Sequence, residues 1–143
     1  MAGAVAAELP TRHVLTLDVA SRVAAAAVAE ARNKNWPCVV AVVDTSGYLI
    51  VLQRMDASPM LASVELAPAK ARTAAMFAKP SKALEDAIHN GRVAATTAGF
   101  VEMDGGVPLT VDGEIVGAIG VSSAEPDWDN EIAGVGAAAL SKP

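Results

Sequence analysis

Few residues in this chain could do chemistry. Lys70, Arg72 and Thr73 stand close together, and Lys70 and Thr73, three apart, share a face if the stretch is helical. With Arg54 from an earlier segment they would form a cationic corner suited to a carboxylate; the plainer alternative is a solvated helix face. Asp104 stands directly before Gly105-Gly106. A carboxyl there could act as acid or base, and the amides near the two glycines could stabilise an oxyanion. His13 lies just ahead of the first helical pattern, as a ligand or as an exposed loop histidine. His89 falls near the end of a short helix, where the dipole favours a cation. The two histidines lack zinc-binding spacing. Cys38 opens an apolar strand and reads as a core thiol rather than a nucleophile. No Gly-X-Ser-X-Gly, phosphate-loop or dinucleotide pattern occurs.

The elements that position these groups follow from pattern. Thr16 caps a helix with Asp18 in its first turn, and Leu17, Ala20, Ala24, Ala27, Val28 and Ala31 recur at helical spacing until Trp36-Pro37. Cys38 to Val43 is a continuous apolar run, as in a strand buried on both faces. Asp44-Thr45-Ser46-Gly47 is a turn, and Tyr48 to Met55 completes an antiparallel hairpin. A helix runs from about Leu61 to Phe77, with a kink or restart expected at Pro68. Ser81 caps a short helix that reaches His89, and Asn90-Gly91 ends it. A loop and a short strand are expected around Thr97 to Val101. Two strand-like runs then meet at Asp112-Gly113, whose residue types suit a type I′ turn. The second run carries Gly117 and Gly120, which mark bulges or close backbone approach. Asp129 to Leu140 is a C-terminal helix, and the remaining aspartates read as turn and cap acids.

Tight connections exclude parallel crossovers. The expected architecture is α/β (α+β): about five mainly antiparallel strands with helices on the faces of the sheet. Residues 1–12 read as a flexible leader and 13–143 as one domain.

At 143 residues the chain is long enough for a substantial core. Hydrophobic residues make up 52% and charged residues 19%, so part of the surface is expected to meet another subunit. The net charge of −5, the absence of a basic block and the scarcity of aromatics (two Trp, one Tyr, two Phe) argue against nucleic acid. No apolar run is long enough for a membrane helix, no signal peptide is evident, and a single cysteine allows no internal disulfide. A cytoplasmic protein with no membrane partner is expected.

Four pieces together carry a family resemblance: Leu15-Thr16-Leu17 with Ala20; Val42-Val43-Asp44 with Gly47 and Arg54-Met55-Asp56; Ala67 with Lys70-Ala71 and Thr73-Ala74; and Gly105-Gly106-Val107-Pro108-Leu109 with Gly113, Gly117 to Ser122, Asp129 and Ala133. The chain resembles the GlcG/HbpS-like family over about residues 13 to 140. That resemblance implies a profilin-like fold, homo-oligomers (dimers that assemble into tetramers or octamers), and haem binding in several members. The chain departs from the family pattern at Asp104, where a glycine is common, at Ser122-Ser123-Ala124, in place of Ser-Gly-Gly, and at Pro68.

Two readings with chemistry follow, beside a third in which the chain is a subunit-forming accessory protein without chemistry. In the first, haem or a related tetrapyrrole binds in a cleft near the Gly-Gly-x-Pro hairpin. His13 would be the axial ligand, ahead of Tyr48, Met55 and Met103, and Arg54, Lys70 or Arg72 would pair the propionates. In the second, the chain is a cofactor-free lyase or isomerase for a small carboxylate or carbonyl compound. Lys70 and Arg72 would clamp the substrate, with Thr73 beside them, and Asp104 or His13 would shuttle the proton near Gly105 and Gly106.

Overall fold

Two antiparallel hairpins placed side by side make the sheet. The structure is a computed structural model and describes residues 2–142. The first hairpin is β1 (Val39–Asp44) and β2 (Leu49–Arg54). Its turn is held by the Asp44 carboxylate, which accepts from the amides of Ser46 at 2.8 Å and Tyr48 at 3.0 Å. The second is β3 (Gly106–Val111) and β4 (Glu114–Ser122), joined at Asp112 and Gly113 with φ of 49° and 77°. Both values are positive, as a type I′ turn demands. The strand order is β2-β1-β4-β3, and every neighbouring pair is antiparallel. Val39 faces both Arg54 and Ser122, Gly106 faces Gly120, and Asp44 faces Gly117. The sheet therefore has a turn end, where both hairpins reverse, and an open end, marked by Arg54, Ser122 and Gly106.

Helices cover both faces. α1 (Leu17–Lys34) and α4 (Pro126–Ala138) pack with Val40, Val42, Leu109, Ile119 and Val121 in the main core. Trp36 and Trp128 stack between them with ring centroids 4.7 Å apart. α2 (Ser63–Phe77) covers Val39, Ala41, Val43 and Ala118 with Ala67, Ala71, Ala74 and Ala75. This contact is made almost entirely of small side chains. At Gly120 an added Cβ would run into the Ala67 carbonyl and lie 2.6 Å from the Ala71 amide; at Gly106 it would run into the Lys70 carbonyl. The two glycines face each other across the ladder, so the helix backbone lies directly on the sheet there. α3 (Ser81–His89) follows and packs against the end of α2 and β3. Cys38 is fully buried beside the Met55 sulfur at 3.7 Å, and burial pushes its thiol up to about 12.

The first cap is as expected: the Thr16 hydroxyl accepts from the Val19 amide at 3.3 Å. Other expectations are corrected. The sheet has four strands, not five. The stretch expected to hold the fifth contains a 3₁₀ turn, Val93–Ala98, and an irregular loop. The hydroxyls of Thr96 and Thr97 donate back to the carbonyls of Val93 and Ala94 at 2.7 Å, and this local bonding outweighs the strand propensity of threonine. α2 runs through Pro68 without a restart. Proline this early in a helix forfeits one bond, to the Val64 carbonyl, and the alanine-rich contact with the sheet holds the rest. Ser81 does not cap α3, because its hydroxyl is spent on the Gly106 amide at 2.8 Å. Among the described residues no helix is long and apolar enough to cross a membrane.

Gly120→Val should lower stability by about 1–3 kcal/mol or more, since a branched side chain must lift α2 off the sheet. Urea denaturation checks this; an unchanged midpoint would show that α2 has room to move there.

Candidate functional site

The candidate residues fall at the two ends of the sheet. At the open end, α2 lies so low that the Lys70 side chain passes beside Gly105, where an added Cβ would touch its Cδ at 3.3 Å, and reaches the first turn of α4. Its ammonium, with the residue only 2% exposed, donates to Asp129 Oδ2 at 2.7 Å and to the Val121 carbonyl at 3.1 Å. The other carboxylate oxygen of Asp129 accepts from the Ser123 amide at 2.6 Å and the Ser123 hydroxyl at 2.5 Å. Burial pushes the Asp129 carboxyl up, while Lys70 and Ser123 oppose the rise. Removing one partner from such a pair strands a buried charge, at a typical cost of roughly 3–5 kcal/mol.

Beside this pair lies a cavity of about 220 Å³ lined by Met60, Leu66, Lys70, Glu85, Met103, Asp104, Ser122, Ser123 and Asp129, among others. Asp104 is 5% exposed, and its Oδ1 has no hydrogen-bond partner among the described residues. Burial pushes its carboxyl up. Glu85 adds to the rise, and the Gly105 amide, Lys82 and Lys70 oppose it. The Asp104 amide donates to Glu85 Oε2 at 2.8 Å.

At the turn end, His13 Nδ1 lies 2.8 Å from Glu114 Oε2, and the His13 backbone and Arg12 also approach this carboxylate at 3.4 Å. These contacts hold the Glu114 carboxyl below its usual range, the His13 ring most of all. Nε2 of His13 has no hydrogen-bond partner among the described residues, and the side chain is 55% exposed. The ring edges a cavity of about 330 Å³ walled by Val14, Leu15, Ile50 and Val116, with Asp44, Thr45 and Arg12 at its margin. A histidine whose Nδ1 is held by a carboxylate and whose Nε2 is free is arranged as metal-ligating histidines are.

The two groups of residues do not meet within one chain. Glu114 and Gly120 lie on the same strand roughly 20 Å apart, at ~3.3 Å per residue. Lys70, Asp104, Gly105 and Gly106 come together at the open end, and His13 stands at the turn end. Arg54 is exposed at the end of β2, in a neighbouring cavity that shares Met60 with the Lys70 cavity. Arg72 lies over the Phe100 ring at 4.6 Å and packs on Gly47, away from Lys70. Thr73 is buried, and its hydroxyl is shared between the carbonyls of Ala69 and Val101, which ties the following loop to α2. No carboxylate clamp of Lys70 and Arg72 is assembled: one cation is neutralised by Asp129 and the other lies elsewhere. The Gly106 amide is taken by Ser81, so it does not serve an oxyanion.

Three partners escape sequence reasoning. Asp129 reads as a turn acid and Glu114 carries no signal, because each gains its role from a residue distant in the chain, and Ser123 matters only through Asp129, six residues on. The one local signal that could have found Asp129 is the cost of burying a lysine on an alanine-rich face, which requires an anion beside it.

This fold and this residue set define a family. A family model described as "Haem degrading protein HbpS-like" matches residues 15–138, and the chain belongs to that family. Among its relatives, Protein GlcG of Escherichia coli K12 is 39% identical over 135 residues, covering 94% of this chain and all of the relative. Corrinoid adenosyltransferase PduO of Salmonella typhimurium is 33% identical over 121 residues, covering 81% of this chain and 36% of that enzyme. Among solved structures, a doubly substituted HbpS of Streptomyces reticuli is 34% identical with a TM-score of 0.84, covering 99% of both chains. A PduOC–haem complex is 31% identical with a TM-score of 0.81, covering 90% of this chain and 96% of that one.

The raised Asp104 carboxyl sets a pH dependence. The folded state holds this proton more tightly than the unfolded chain, so the wild type loses stability as pH rises through the folded value. Asp104→Asn should therefore be more stable than wild type at pH 7. The gain should close as pH falls toward the ordinary value of 3.8. Thermal melts across pH check both the sign and the window.

Proposed function

We propose that the chain binds haem or a related tetrapyrrole at the turn end of the sheet, with His13 as an axial ligand. The observation that carries this reading is the His13–Glu114 pair. The carboxylate fixes the ring through Nδ1 and leaves Nε2 to the metal. Membership of the HbpS-like family and the similarity to a PduOC–haem complex support it. The donor set fits the group: an imidazole for the iron, apolar walls at Val14, Leu15, Ile50 and Val116 for the ring, and Arg12 as a cation for a propionate.

Haem would supply the redox and oxygen chemistry of its iron. The chain supplies the orientation of His13 and an apolar wall. The cavity of about 330 Å³ lies at the small end of the range for ligand pockets, and the imidazole faces outward. Val14, Leu17, Tyr48 and Leu49 are exposed at this same end. A second copy of the chain set against this surface would close the other side of the ring, so the reading includes a homo-oligomer.

Haem titration should give a saturable Soret shift. His13→Ala should abolish the shift or change its form, and Glu114→Gln should weaken binding about 10–100-fold. An unaltered spectrum and affinity in His13→Ala would move the ligand elsewhere. Sedimentation at micromolar concentration should show species heavier than the 14.5 kDa chain; a single species of that mass would remove the oligomer.

A further inference from the structure

The haem reading leaves the open end of the sheet unused, yet the most heavily buried charges lie there. Lys70 and Asp129 neutralise each other across 2.7 Å. What they leave facing the cavity of about 220 Å³ is acidic: Asp104 and Glu85. Lys82, the other nearby cation, is bound on the surface by Asp86 at 3.0 Å. Asp104 is 5% exposed and carries an oxygen with no partner among the described residues, an arrangement that costs stability unless something donates to it. Lys70 uses two of its three N–H groups, on Asp129 and Val121. The opposite wall is apolar, with Met60, Leu66 and Met103. Methionine side chains adapt their shape to what they cover.

We propose that this cavity is a second binding site, independent of haem, for a small protonated amine whose ammonium group is held by Asp104 and Glu85 and whose short apolar part lies on Met60, Leu66 and Met103. Charge selects the class. A carboxylate would meet two acidic groups and a lysine already neutralised, whereas an ammonium gives Asp104 a charge-assisted donor. Size sets the limit. A cavity of about 150 Å³ holds benzene, so this one takes a molecule of comparable or slightly greater size. Among the described residues no group of three or more His, Cys, Asp or Glu is placed to hold a metal ion.

The test uses the full chain and three matched probes, n-butylammonium, n-butanol and butyrate, followed by NMR of the methionine methyls and the Asp104 carboxyl carbon. Butylammonium is expected to give saturable shifts at Met60, Met103 and the Asp104 carboxyl, with butyrate at least about tenfold weaker. Asp104→Asn should weaken butylammonium about tenfold or more while its melting temperature is kept or raised. The proposal is overturned if butyrate binds as well as the amine, or if the variant binds the amine as the wild type does. It is also overturned if the amine saturates nothing below about 10 mM. The Asp104 carboxyl signal is read in the wild type and decides the matter even if the variant misfolds. None of these readouts depends on haem, so failure here leaves the His13 site standing, and the reverse holds too.

Discussion

The descent of α2 onto the bare backbone of β3 and β4 is the constraint on which the open end of the molecule depends. Two glycines that face each other across the ladder, Gly106 and Gly120, leave no strand side chain to hold the helix backbone off the sheet there. The helix answers with alanines. A thicker interface would hold the same elements in the same order but raise Lys70 away from Asp129. Low packing is what carries an ammonium group past the plane of the strands to the far helix. The buried pair then couples α2 to α4 across the end of the sheet, which neither main core cluster does.

The hairpin of β3 and β4 separates two chemistries by its own length. Its turn holds Glu114, which orients an exposed imidazole; its open end holds a closed network of lysine, aspartate and serine. One end has an unoccupied nitrogen facing outward, the other an unsatisfied oxygen facing inward. The proposed haem reading uses the first, and the proposed amine site uses the second. A single cleft uniting all the candidate side chains would need the hairpin to be shorter than its β-strands are.

Much of this was legible in the residues. The Asp-Gly turn, the doubly buried run at Val39 to Val43, the cap at Thr16 and the close approach at Gly120 each rest on local chemistry, and each is present. Lys70 was legible too as a site residue grouped with Asp104 and Gly105-Gly106. Its partner was not, because Asp129 and Asp104 look alike until the chain is folded. The expected strand at Thr97 failed for a related reason: β propensity describes a residue on a pleated surface, and here the threonine hydroxyls close a local turn instead. The separation of His13 from Lys70 is a matter of strand register, which spacing along the chain does not carry.

Cys38, the sole cysteine, is sealed beneath the sheet against Met55, where burial pushes its thiol up to about 12. At neutral pH it offers almost no thiolate, and thiolate is the form that oxidants and electrophiles attack. With its one thiol sealed, the chain offers no cysteine for a sulfenic acid and none for a disulfide that would link one copy to another.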